Sequence, residues 1–105
     1  MSFVDHIEYQ VQFLQGFADK TRLKIIRSLM ESEKTVSQLV AELGCSQANT
    51  SAHLKTLKNS GILKSRQEGK FVYYSLRNEA IHDFLLYLDK MLFNMQTQTL
   101  KSLQA

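Results

Sequence analysis

Apolar residues recur along this chain with two different periods, and the change between them divides it. From residue 3 to about residue 17, Phe3, Ile7, Val11 and Leu14 fall three or four positions apart. Val4 and Phe13 widen that stripe, and the spacing predicts an amphipathic helix that Gly16 interrupts. Asp19 is placed to cap a second helix, with Leu23, Ile26, Leu29 and Met30 inward and Lys20, Arg22, Lys24 and Arg27 outward. A short polar connector over 31–34 follows. Thr35 and Gln38 then form a capping box ahead of Val36, Leu39, Val40 and Leu43, one apolar stripe ending at Gly44. Ser46 can cap the next helix, which runs to about Gly61 and turns Thr50, Leu54 and Leu57 inward.

After Gly61 the period becomes two. Residues 62–67 and 70–76 read as strands joined by Glu68-Gly69, with Val72, Tyr74 and Leu76 sharing a face. From residue 79 the helical period returns in Ile81, Phe84, Leu85, Leu88, Met91, Leu92 and Met95, while Leu86, Tyr87 and Phe93 add a second apolar side. A terminal helix this apolar has more surface to hide than a small monomer can cover. A symmetric dimer through Phe3, Ile7, Val11, Phe84, Leu85, Leu88, Met91, Leu92 and Met95 is the expected solution. The fold class is mainly α with a small β-hairpin: a dimeric winged helix–turn–helix in one domain over 1–105. The helix–turn–helix spans about 35–60, the wing about 62–76, and the dimerisation helices about 3–17 and 79–100.

The helix after Ser46 has an unusual outer face. Gln47, Ala48, Ser51, Ala52 and Lys55 lie opposite its apolar stripe, and no acid occurs between Gln47 and Ser60. A solvated face normally mixes both charges; this one is small, hydrogen-bonding and then basic. Glutamine can read adenine, serine either base edge, and an alanine methyl can pack on thymine. DNA binding is therefore expected through Ser46, Gln47, Ala48, Asn49, Ser51, Ala52, His53 and Lys55. Arg66 and Lys70 at the wing would touch phosphates, and His53 would make a local hydrogen bond or a phosphate contact. The bland alternative is an αα-hairpin with a polar exterior.

Composition changes this picture little. With 105 residues and a net charge of +3, polyanion partners are favoured only weakly. The clustering of Lys55, Lys58, Lys64, Arg66 and Lys70 matters more. One cysteine, no signal-peptide pattern and no spanning apolar run point to a cytoplasmic protein with no membrane partner. No nucleophile–base cluster and no glycine-rich phosphate loop occur, so an enzyme is not expected and no cofactor is predicted.

A succession of motifs resembles the ArsR/SmtB family of bacterial repressors. It comprises Ala18-Asp19-Lys20-Thr21-Arg22-Leu23, Val36-Ser37-Gln38-Leu39, Ser46-Gln47 through Ser51, His53-Leu54, Leu57, Gly61-Ile62-Leu63, Glu68-Gly69-Lys70 and Val72-Tyr73-Tyr74-Ser75-Leu76. The resemblance implies a homodimeric winged helix with its first and last helices at the interface. It also implies a repressor of a nearby operon, relieved by an inducer that is often a metal ion. Two departures stand out. Where relatives carry a Cys-Val-Cys thiolate site, this chain has Thr35, Val36 and Ser37. Where zinc-type relatives pair carboxylates and histidines on the last helix, it has Asn78, Ala80, Met91 and Asn94.

Other candidate chemistry is sparse. Asp5, His6, Glu8, His82 and Asp83 could converge across a dimer on zinc or nickel; as solvated helix residues they need no function. Cys45 is a small turn filler or a redox-sensitive thiol beside the DNA face. The expected function is a sequence-specific repressor of double-stranded DNA bearing an imperfect inverted repeat, released by an unidentified inducer. The alternatives are a protein–protein interaction module, or a metal or redox sensor using Cys45 or His6 and His82.

Overall fold

Side-chain caps set where the helices begin. Asp19 accepts from the Arg22 amide at 3.0 Å, and Ser46 Oγ accepts from the Asn49 amide at 3.1 Å. Thr35 and Gln38 exchange both bonds of a capping box, at 3.2 and 2.8 Å. Asn78 Oδ1 accepts from the Ile81 amide at 3.1 Å, a cap the residue pattern did not reveal. The computed structural model describes residues 3–104, with side chains from Asp5 onward; the Phe3 side chain, assigned above to a dimer interface, lies outside them. The elements are α1 (Phe3–Phe17), α2 (Lys20–Leu29), α3 (Val36–Leu43), α4 (Gln47–Asn59), β1 (Leu63–Glu68), β2 (Phe71–Leu76) and α5 (Glu79–Gln104).

The core forms where the inward stripes of these elements meet. Ile25, Ile26, Leu39, Leu54, Leu57, Ile62 and Leu85 are fully buried, so α2, α3, α4, the entry to the wing and the start of α5 share one interior. Gly44 closes α3 in the left-handed region, φ 72°, and so permits the sharp turn into α4. This turn packs α3 against α4 and leaves the opposite side of α4 open.

Gly16 does not interrupt α1 as expected; it lies inside the helix. Its value is in what it lacks. A Cβ there would overlap Ile62 Cδ1 and sit 3.2 Å from Ser60 Cβ, so α1 can press on the end of α4 only through a bare backbone.

The wing is one antiparallel ribbon in which Glu68 pairs with Phe71, so Gly69 and Lys70 form the turn, one residue later than expected. Gly69 at φ 60° in first position of a two-residue loop fits the tight hairpin turn that suits twisted strands. A backbone bridge joins the wing to the α2–α3 connector: Lys34 N donates to Tyr74 O at 3.0 Å, and Tyr74 N to Lys34 O at 2.8 Å.

The terminal helices project from this body. α5 has 26 residues, about 39 Å at the usual helical rise. The radius of gyration is 16.4 Å, against about 13 Å for a compact chain of this length. Phe84 anchors the two arms together, its ring 5.2 Å from Phe17 and 6.3 Å from Phe13. Among the described residues, no helix is long and apolar enough to cross a membrane.

Candidate nucleic-acid interface

Burying Thr50, Leu54 and Leu57 forces the other side of α4 outward. Gln47, Ala48, Asn49, Ser51, Ala52 and Lys55 are all exposed. Thr50 turns its hydroxyl back to Ser46 O at 2.8 Å, which removes it from the surface. What remains is a face with two alanines, amide and hydroxyl groups near the N-terminus, and a lysine one turn later. Its small side chains let another surface approach the backbone closely, and the positive end of the helix dipole favours anions there.

His53 departs from this face. Its ring is half-buried, with Nδ1 3.4 Å from Arg22 Nη1 and Nε2 3.9 Å from Asp19 Oδ2. Arg22, expected on the solvent side, instead donates to Gly16 O at 2.9 Å and Gln15 O at 3.0 Å. It thereby caps carbonyls at the end of α1, sharing that of Gln15 with the Ala18 amide at 3.1 Å. Asp19 accepts the Arg22 amide and faces two cationic or basic groups, so its carboxyl is held below the ordinary range. This cluster ties α1, α2 and α4 together. His53 belongs to that joint: of the two roles expected for it, the local hydrogen bond is the one that forms here.

The wing divides its cations. Lys64 and Lys70 are exposed, with Lys70 Nζ 5.6 Å from the Phe71 ring centre. Lys58 donates to Ser65 Oγ at 2.7 Å, bracing the wing against α4. Arg66 is engaged: it donates to both carboxylate oxygens of Glu33 and, at 2.8 Å, to Glu68. The hydrogen bonds from Arg66 lower the Glu33 pKa, and those two carboxylates raise that of Arg66. A phosphate contact by Arg66 therefore requires exchange of partners.

A second polar joint lies behind α3. Lys34 Nζ donates to Ser28 O at 3.1 Å and Ser28 Oγ at 2.7 Å, and approaches Glu42 at 3.3 Å. Ser28, nearly buried, donates to Glu42, and this bond with the nearby Lys34 charge lowers the Glu42 pKa.

Within one protomer His82 and Asp83 are joined by Glu79, and one ligand atom from each lies within 4.8 Å of the others. Within a protomer His6 lines a separate hollow with Tyr9, Phe13, Lys58 and Arg77, while His82 faces Leu29, Lys64 and Leu76. Cys45 is half-buried in the α3–α4 turn, its Sγ 3.9 Å from Leu43 O.

The expected interface residues split into two sets. Leu85 is 0% exposed and belongs to the protomer's own core, which corrects its assignment to a partner contact. Leu88 is half-buried. Ile7, Val11, Phe84, Met91, Leu92 and Met95 are exposed, Phe84 at 38% and Met95 at 54%. They leave apolar surface along both projecting arms.

Comparison with known proteins agrees with this geometry. Residues 19–65 match the family model described as "Bacterial regulatory protein, arsR family". The chain is 31% identical over 81 residues to a "Probable mercury resistance operon repressor" of Streptomyces lividans, covering 77% of this chain. It spans 65% of that relative, just under two thirds. With the transcriptional activator HlyU of Vibrio cholerae serotype O1 it shares 30% identity over 81 residues, covering 77% of this chain and 75% of HlyU. A solution structure of a homodimeric winged helix-turn-helix DNA-binding domain from Mycobacterium bovis has the same fold. Its TM-score is 0.82 at 22% identity, covering 88% of this chain and 87% of that one. The capped helix–turn–helix, the wing that follows it and these matches have one reading: the chain belongs to the ArsR family of bacterial regulatory proteins.

Proposed function

We propose that the chain acts as a cytoplasmic homodimeric repressor that lays two copies of α4 in successive major grooves and leaves the DNA when an inducer binds. The observation that carries this is the exposed, acid-free face of α4. Gln47 and Ser51 sit near its N-terminus, where a helix–turn–helix presents side chains to base edges. Gln47 and Ser51 read bases, and Ala48 and Ala52 accept thymine methyl groups. Ser46, Asn49, Lys55, Lys64 and Lys70 hold the flanking phosphates, joined by Arg66 once it leaves its carboxylates. Ile7, Val11, Met91, Leu92 and Met95 supply the dimer contact. A twofold protein reads twofold DNA, so the operator is an imperfect inverted repeat.

Repression follows from occupancy: a dimer seated across a promoter excludes the polymerase. The inducer is not carried over from the relative named for mercury, because Cys45 is the single thiol of the chain. Selection of bound duplexes from a random pool tests the reading. It should enrich an inverted repeat with half-site centres about one helical turn, or a multiple of it, apart. Transcription from a template carrying that repeat should fall on adding protein. Failure to enrich any sequence above the starting pool overturns sequence-specific binding; rising transcription overturns repression alone.

A further inference from the structure

Arg66 stands mid-strand in β1, opposite Tyr73, whose ring centre lies 4.7 Å beneath its guanidinium. Nε donates to Glu33 Oε2 at 2.9 Å, Nη2 donates to Glu33 Oε1, and Nη1 donates to Glu68 Oε2 at 2.8 Å. The fork is thus filled in the geometry that a phosphate would also use. Glu33 is no chance neighbour. The next residue, Lys34, is bridged to Tyr74 by two backbone hydrogen bonds, so connector and wing are held in register. One guanidinium between two carboxylates carries a local charge of the wrong sign for DNA.

We propose that Glu33 limits DNA affinity by holding Arg66 in a carboxylate fork that a DNA phosphate must displace. This rests on the reading of the wing as a phosphate contact. The wing's arginine is then a charge in reserve. It adds to the interface only when phosphate is presented closely enough to replace Glu33, and Lys64 and Lys70 provide the unconditional attraction. Both side chains are partly exposed, Arg66 at 50% and Glu33 at 38%, so exchange needs no unfolding of the wing.

The test compares the parent protein with Glu33→Gln, Arg66→Ala and the double variant on a random-sequence duplex, by fluorescence anisotropy across a salt series. Glu33→Gln should bind about three- to tenfold tighter at moderate salt, with a salt slope steeper by about one unit, the signature of one added phosphate contact. Glu68→Gln, which removes one hydrogen bond rather than two, should gain less. The added unit of salt slope must vanish when Arg66 is replaced by alanine, where only the smaller relief of a repelling charge remains. A gain equal in size and slope without Arg66 overturns the proposal, since it then reflects only the loss of that charge. Weaker binding by Glu33→Gln overturns it too, by showing that the ion pair positions the wing for DNA. If Arg66→Ala changes nothing even in the Glu33→Gln background, the failure lies in the underlying reading: Arg66 does not touch DNA.

Discussion

Arg27 on α2 and Asp89 on α5 meet as a two-pronged ion pair, Nη1 to Oδ2 and Nη2 to Oδ1 each at 2.5 Å. The pair links the long terminal helix to α2. Its side chains remain 38% and 50% exposed, so solvent screens most of the attraction. Asp89→Ala should therefore cost less than about 1 kcal/mol. Leu85, one turn earlier and fully buried, should cost about 2–5 kcal/mol as Leu85→Ala. Urea unfolding at fixed protein concentration checks both, and the ranking matters more than either value. An Asp89 effect exceeding that of Leu85 would mean that α5 is held by charge rather than packing.

Gln47 and Lys70 should separate specificity from affinity. Gln47→Ala should lose about 1–3 kcal/mol on a selected operator and little on random DNA, because it removes a base-edge contact. Lys70→Ala should weaken all sequences alike and flatten the salt dependence by about one unit. Anisotropy titrations on both duplexes provide the measurement. Equal losses on operator and random DNA for Gln47→Ala would contradict its role as a base reader.

Leu92 tests the dimer face. It is 45% exposed in the protomer, close to Met91 and Met95, so a charge there costs the monomer little. In a dimer seam the same charge is buried without a partner. Leu92→Glu should give a folded species of 12.1 kDa at micromolar concentration while the parent sediments as a dimer. Sedimentation equilibrium reads this directly, and a parent that is itself monomeric sinks the dimer proposal.

Glu42 predicts how stability responds to acid. The Ser28 hydroxyl, followed by the Lys34 charge, lowers its folded-state pKa. A carboxyl depressed on folding stabilises the native state above its unfolded pKa, about 4.3. That stabilisation is lost as pH falls through the lower folded value. Thermal midpoints measured from about pH 6 to 3 should therefore fall less steeply for Glu42→Gln than for the parent. An identical acid limb would show that the joint behind α3 contributes nothing to this dependence.

What could be read from the residues was mainly local. The caps at Asp19, Thr35 and Ser46 depend on partners three positions away, and each forms as the pattern implies. The inner stripe of α4 was equally plain, because burial at Thr50, Leu54 and Leu57 follows one helical period. Contacts between distant residues were not legible. Arg66 looked like a free phosphate ligand because Glu33, which takes two of its hydrogen bonds, lies 33 residues away, across the bridge between connector and wing. His53 and Arg22, 31 residues apart, looked exposed for the same reason. Leu85 shows a different limit: a broad apolar stripe does not say which part belongs to the protomer and which to a partner. Gly16 shows a third, since glycine's low helix propensity gives way where a helix backbone must pack closely on side chains, here those of Ile62 and Ser60.

The switch provides the last prediction. Thr35 Oγ1, at the position of a family thiolate, is occupied in a capping box, and Asn78 Oδ1 is occupied in capping α5. Hydroxyls hold soft ions far more weakly than thiolates, Ala80 has no donor, and a methionine thioether suits zinc poorly. Cadmium and arsenite should therefore leave operator binding unchanged at micromolar concentrations. Zinc or nickel has one clustered set of ligands among the described residues, Glu79, His82 and Asp83 within one turn of α5. Release held by that set should then disappear in His82→Ala and survive His6→Ala, since within a protomer His6 lines a separate hollow; loss in both variants would place the site across a dimer. Oxidant-driven release, by contrast, should disappear in Cys45→Ser, because that thiol lies in the turn that positions α4. Operator titrations with each ion and with peroxide, repeated on the three variants, separate these outcomes. Release by cadmium or arsenite that survives Cys45→Ser and His82→Ala would mean that soft ions are held by ligands outside both positions.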